Sequence, residues 1–164
     1  MLSKSDYIDY IAGYEIPWWG VDKNGYIFHC LSAGTTHVPK VIVDQNEAQS
    51  LAGEYFSGIL EVSTKSTILF SPANFFFDFV SEYEILLATK GIFCFDAVLN
   101  YCDPQGHEVF EKYPYWYKKL AAPVEPIHIE SLDDRVQILM SYFRFDVDVK
   151  NNDYIFFKSL LDVL

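Results

Sequence analysis

The sequence predicts an α+β fold, a single domain over residues 1–164 with a mainly antiparallel sheet and about four helices packed on it. Three observations lead there. Apolar residues recur at helical spacing in separated stretches, about seven or eight short β-rich runs lie between them, and tight turns rather than helical crossovers join most neighbouring runs. With 164 residues, 51% of them hydrophobic and 21% charged, the chain can fill one core and is too apolar for disorder or a fibrous repeat. No internal repeat or long linker divides it.

The elements follow in order. Ser3 and Asp6 stand at capping-box spacing, Leu2 can staple against Tyr7, and Gly13 suits a stop, so a short helix opens the chain. Asp22-Lys23-Asn24-Gly25 separates Trp18–Val21 from Tyr26–Leu31, and Asn-Gly between β-rich runs marks a hairpin. Ser32–Lys40 reads as loop and Val41–Val43 as a short strand. Asp44 and Glu47 suggest a capped helix with Ala48, Leu51, Ala52, Tyr55 and Phe56 on one face, ending at Gly58. Ile59–Ser63 and Thr67–Phe70 read as strand. Ser71-Pro72 offers an N-cap with proline at the first helical position, opening a helix through Phe76, Phe79, Val80, Tyr83, Leu86 and Leu87 to Gly91.

Ile92–Leu99 is apolar apart from Asp96 and belongs in a central strand covered on both faces. The turn Asp103–Gly106 leads to a hairpin partner at Glu108–Tyr117, where Pro114 argues for an edge or a bulge. Lys118–Pro126 reads as loop and Ile127–Glu130 as extended. Ser131 and Asp134 cap a helix whose Leu132, Val136, Leu139, Met140 and Phe143 share a face. Phe145, Val147 and Val149 alternate with Asp146 and Asp148, as in a half-exposed strand. Asn151-Asn152 turns it into Tyr154–Phe157, and a short helix closes the sequence.

The charge balance is 12 basic against 23 acidic residues, a net −11. The halves before and after Glu82 carry −6 (4 basic, 10 acidic) and −5 (8 basic, 13 acidic), so the acidity belongs to the whole surface. Binding a phosphate backbone relies on clustered Lys and Arg, which excludes nucleic acid, and the same argument speaks against an anionic membrane. A cationic protein is the natural electrostatic partner. Met1 opens no apolar signal segment, and no apolar run approaches the roughly 20 residues of a membrane span. Cys30, Cys94 and Cys102 make an odd count with no disulfide framework. A cytoplasmic location is expected; the oligomeric state is left open.

The chemistry-bearing residues assemble no catalytic motif. His29 and Cys30 are neighbours on a strand and point to opposite faces, so they form no thiolate–imidazole pair; His37 is the only base near in sequence. Cys102, His107 and His128 lack the paired spacing of a zinc site. Asp146 and Asp148 share a strand face without the glycine bend of a calcium loop. Ala33-Gly34-Thr35-Thr36-His37 has one glycine where a phosphate loop has several. G-x-S-x-G, H-E-x-x-H and G-x-G-x-x-G are absent. No catalytic residue, cofactor or metal is assigned, and the chain is not expected to be an enzyme. Asp96 stands out, because a carboxylate buried in an apolar strand shifts its pKa upward or finds a partner. Tyr113-Pro114-Tyr115-Trp116-Tyr117 and Trp18-Trp19 put rings on both faces of a strand, so some meet solvent, another element or a partner.

Ile16-Pro17-Trp18-Trp19-Gly20-Val21-Asp22-Lys23-Asn24-Gly25-Tyr26-Ile27 resembles the opening of small acidic bacterial immunity-type proteins from toxin–immunity loci. Ala33-Gly34 leading to Val38-Pro39-Lys40, Lys90–Ala97 and Pro126–Met140 are similar to later parts of such proteins. The resemblance implies a stoichiometric inhibitor that blocks a toxin's active surface and performs no chemistry. The expected partner is therefore a cationic toxin or effector, steered by Asp133, Asp134, Asp146 and Asp148 and anchored by Tyr115, Trp116 or Trp18. The alternative is a small-molecule-binding domain or uncharacterised enzyme with a pocket near Asp96 and His29.

Overall fold

The computed structural model describes residues 14–33, 38–63, 74–75, 80–97 and 116–157. Among them the chain runs β1 (Pro17–Val21), β2 (Ile27–Leu31), α1 (Lys40–Asp44), α2 (Asn46–Ser63), β3 (Asn74–Phe75), α3 (Glu82–Thr89), β4 (Phe93–Ala97), β5 (Trp116–Ala122), α4 (Asp134–Met140) and β6 (Tyr154–Phe156). The expected α+β arrangement is present. Most strand pairs are antiparallel.

The first hairpin forms where Asn24-Gly25 places it, with Pro17 opposite Leu31 and Val21 opposite Ile27. Gly25 sits at φ +89°, and a Cβ there would meet His128 Nε2 at 2.2 Å. The buried Asp22 organises the turn. Its Oδ1 accepts the N–H of Asn24 at 2.9 Å and of Tyr26 at 2.8 Å, while Oδ2 accepts the distant N–H of Val149 at 3.2 Å. An Asp at a turn closing its own backbone is ordinary; here it also fastens the end of the domain to its beginning.

The sheet runs β1-β2-β4-β5-β3, with β6 also paired to β5. β2 and β4 are parallel, and β4 lies in the middle, as its apolar run predicts. β5 is antiparallel to β4, with a bulge at Leu120: Cys94 faces Ala121 whereas Phe95 faces Lys119. The outer edge of β5 is shared, β3 meeting Ala121–Ala122 and β6 meeting Trp116–Lys118. Lys118–Ala122, expected as loop, is therefore strand. Two lysines hide the pattern, and Lys119 is buried with its Nζ 5.7 Å from the Phe93 ring and 5.9 Å from the Phe95 ring.

Other differences have local causes. Val41–Val43 is helix, not strand: the Pro39 carbonyl accepts the Ile42 N–H at 2.9 Å, and Lys40 pairs with Asp44 one turn on. α2 continues through Gly58 and the expected strand Ile59–Ser63, as a helix tolerates a glycine at modest cost. It buries Ala52 and Phe56 but leaves Leu51 exposed. Asn74–Phe75 pairs with β5 inside the expected helical stretch, and α3 begins only at Ser81, which forms a capping box with Glu84. α4 is capped by Asp133 rather than Ser131. Phe145–Val149 is not a strand; it crosses the first hairpin, Phe145 N–H reaching Val21 O at 2.9 Å and Lys23 N–H reaching Val147 O at 3.1 Å. β6 follows the Asn151-Asn152 turn as expected. The opening and closing helices, Thr67–Phe70, the Ser71-Pro72 cap and residues 98–115 lie outside the described residues.

The sheet has two apolar faces. On one, the Trp18 ring lies 5.6 Å from Tyr117, 5.7 Å from Phe28, 5.5 Å from Phe145 and 5.0 Å from Phe157. On the other, Trp19 stacks on Phe56 of α2 at 4.6 Å, and Gln49 bonds both the N–H and the C=O of Trp19. Tyr83, in α3, meets His29 edge-on at 5.8 Å. Trp18 is 0% exposed and donates its indole N–H to the Tyr117 hydroxyl at 3.3 Å. It is thus a core residue, and its expected role as a surface anchor is corrected.

Asp22→Ala leaves three backbone N–H groups without their acceptor and is expected to destabilise the domain by about 2–4 kcal/mol, measured as a lower urea midpoint at unchanged slope.

Candidate functional site

Among the described residues, the buried side-chain polar atoms that lack a hydrogen-bond partner are His29 Nδ1, His29 Nε2 and Asp96 Oδ1. The sheet explains why they gather. β2 and β4 run side by side with His29 opposite Cys94 and Leu31 opposite Asp96, so His29, Cys94 and Asp96 point to one face. Trp19, opposite His29 on β1, extends that row. Its ring centroid lies 4.5 Å from the imidazole. α3 lies over the row: Tyr83 meets His29, and the Cys94 thiol donates to the Glu84 carbonyl at 3.6 Å. His29 is 1% exposed, whereas Asp96 is only half-buried. The two residues singled out for a pocket thus share one face of adjacent strands.

Electrostatics separate them. Burial pushes the His29 imidazole from 6.5 down to about 3, so the ring is neutral at pH 7 with one nitrogen a donor and the other an acceptor. Burial lifts the Asp96 carboxyl from 3.8 to about 6, and the negative charges of Glu15 and Glu84 add to the rise against a backbone hydrogen bond at Ala97. Asp96 is therefore mostly ionised at neutral pH in a region already negative.

The remaining titratable groups are inert or structural. Cys30 lies on the opposite face from His29, in register with Trp18 and Phe95. Burial raises both the Cys30 and Cys94 thiols well above 9.0, which suppresses the nucleophilic thiolate. Lys119 donates to the Lys150 carbonyl and to Asp153, both at 3.4 Å. Burial lowers its pKa and Asp153 opposes that. The sequence reading missed Lys119, and no signal marked it, since a lysine beside Lys118 reads as solvated. His128 closes the hairpin turn, with Nε2 2.8 Å from the Asn24 carbonyl and Nδ1 accepting from Glu130 N–H at 3.3 Å. Among the described residues no three His, Cys, Asp or Glu side chains gather to hold a metal ion.

The acidic residues singled out for steering divide by role. Asp133 caps α4, its Oδ1 accepting Arg135 N–H at 2.8 Å. Asp148 caps a turn, accepting the Asn151 N–H at 3.1 Å and its side-chain amide at 2.9 Å, bonds that hold its carboxyl below the usual range. Asp134 and Asp146 are exposed. The backbone of Trp116 pairs with Phe156, and Tyr115 lies outside the described residues. The sequence reading passed over one surface: Ile138 is 66% exposed and Tyr142 56%, following Asp134 at steps of four along α4 and the turn after it. The spacing was available as a signal, but the buried stripe Val136, Met140 and Phe143 dominates that segment.

Compared with family models, curated proteins and solved structures, the chain matches none of them. No described helix is long and apolar enough to cross a membrane.

His29 and Asp96 act oppositely on stability. Asp96 titrates higher in the folded state, so its contribution is present below about pH 4 and lost as pH rises through about 6. His29 titrates lower when folded, so its contribution is present above 6.5 and lost as pH falls toward about 3. Urea unfolding from pH 4 to 7 should therefore show Asp96→Asn losing stability in acid more steeply than the parent, and His29→Leu less steeply. At pH 7, His29→Leu is expected to be neutral or stabilising, because it removes two nitrogens desolvated without partners.

Proposed function

We propose that the chain is a non-enzymatic protein-binding domain of the immunity type, which neutralises a cationic toxin or effector by covering its active surface. The exposed face of α4 carries the reading. Asp134, Ile138 and Tyr142 line up there, and Glu130 and Asp133 are exposed just before the helix. An aliphatic and an aromatic side chain ringed by charged groups, the acidic ones joined by the exposed Arg135 and Arg144, have the composition of a docking patch: apolar groups supply affinity on desolvation and charges supply orientation and encounter rate. A net charge of −11 selects a basic partner. The resemblance of Ile16–Ile27 and the later segments to immunity-type proteins supplies the toxin as the class of partner. Asp134 and Asp146 are the steering residues of this reading, because Asp133 and Asp148 are engaged in caps. Trp116 and Tyr115 remain candidate anchors in addition to Ile138 and Tyr142.

The test is affinity capture from producing cells with the parent and an Ile138→Ser/Tyr142→Ser double variant. A basic protein recovered stoichiometrically by the parent and lost by the variant is expected. Equal recovery by both would remove α4 from the interface. With that partner purified, Asp134→Asn/Asp146→Asn is expected to slow association several-fold at low salt and to flatten its salt dependence, leaving dissociation almost unchanged. The apolar double variant should instead speed dissociation about 10- to 100-fold.

A further inference from the structure

We infer that the face of the sheet bearing His29 and Asp96 binds a small primary ammonium compound, with Asp96 as its counter-ion and the His29 ring as the inner hydrogen-bond partner. Fully buried polar atoms without partners are uncommon in folded proteins, and each marks strain or a missing ligand. Here His29 and Asp96 lie on one face of two paired strands, two positions apart along the ladder, since His29 stands opposite Cys94 and Asp96 opposite Leu31. Residues so related have Cα atoms about 7–8 Å apart, enough to place a small polar group between the side chains.

The surrounding chemistry selects the class. The groups whose charge reaches Asp96 are carboxylates, Glu15 ahead of β1 and Glu84 on α3. Cys30 on β2 and Tyr117 on β5 are also coupled to Asp96, and both stay protonated because burial raises them. Lys118 stands opposite Asp96 on β5, with its Nζ 5.8 Å from the Tyr154 ring. Around His29 the walls are the faces and edges of Trp19 and Tyr83. Carboxylate, imidazole lone pair and aromatic rings together favour an N–H-bearing cation over an anion or a hydrocarbon. Asp96 is half-buried and Tyr83 is 39% exposed, whereas His29 is 1% exposed, so the carboxylate is the solvent-facing member of the pair. The site is independent of the α4 face and of any protein partner.

Ethanolamine is the probe, with ethylene glycol as its neutral isostere, in NMR of chain labelled with 15N in the histidine rings and 13C in the aspartate carboxyls. At pH 7, ethanolamine is expected to shift the His29 and Asp96 signals saturably, with a dissociation constant in the low-millimolar range reached by ligands of a few heavy atoms. Ethylene glycol should leave them unmoved. Binding requires ionised Asp96, so affinity should fall about tenfold from pH 7 to pH 5. Asp96→Asn, a near-isosteric change whose fold is checked in the same spectra, should abolish the response. No saturable shift with ethanolamine, an equal shift with ethylene glycol, or unchanged affinity in Asp96→Asn or at pH 5 would overturn the site and leave only ordered water between the two side chains.

Discussion

The buried carboxylate of Asp22 is the constraint on which the rest of the structure depends. It closes the first hairpin turn through Asn24 and Tyr26 and reaches across to Val149. That second reach brings Phe145 against Trp18 and Phe28 and sets the start of the segment leading to β6. Three backbone donors converge on this one buried side chain. One side chain thus holds the first hairpin and the last strand in a fixed relation.

The two faces of the sheet are built on different terms. The Trp18 face is satisfied: its indole has the Tyr117 hydroxyl, and its rings meet edge-on at distances that favour their quadrupoles. The Trp19 face is not, since both nitrogens of the neutral imidazole and one oxygen of the raised carboxyl are buried there without partners. Natural structures keep such debts mainly where a site needs them. The contrast between a complete face and an incomplete one, on the same four strands, directs attention to His29 and Asp96 more sharply than either residue alone.

Much of the fold was legible in the chain. Asn24-Gly25 located the first hairpin, the run from Ile92 located the central strand, and the periodicity around Val136 located α4. Errors arose where tertiary context overrode local pattern. Lys118-Lys119 looks like loop until the bulge at Leu120 turns Lys119 inward. Phe145–Val149 alternates like a strand because Phe145, Val147 and Val149 pack on the core, yet its backbone bonds the hairpin rather than a full ladder. Ser81-Glu82-Tyr83-Glu84 carried a readable capping box that the proline at position 72 overshadowed. At the candidate site, Asp96 was legible as a break in an apolar strand. The sharing of its face with His29 was not, because a parallel pairing across a long connection leaves no local trace.

The shared outer edge of β5 has a consequence for how the protein is made. β5 is flanked on that side by Asn74–Phe75 at one end and Tyr154–Phe156 at the other, so neither neighbour alone completes it. At roughly 5–20 residues per second, the 32 residues from Ala122 to Tyr154 take about 2–6 seconds to make. Throughout that interval a nascent chain holds a half-covered strand carrying Lys119 without Asp153, the residue that receives it in the finished fold. The charge of that lysine, solvated until the last strand arrives, keeps the open edge polar, as charged side chains do on edge strands that must avoid pairing with the wrong neighbour.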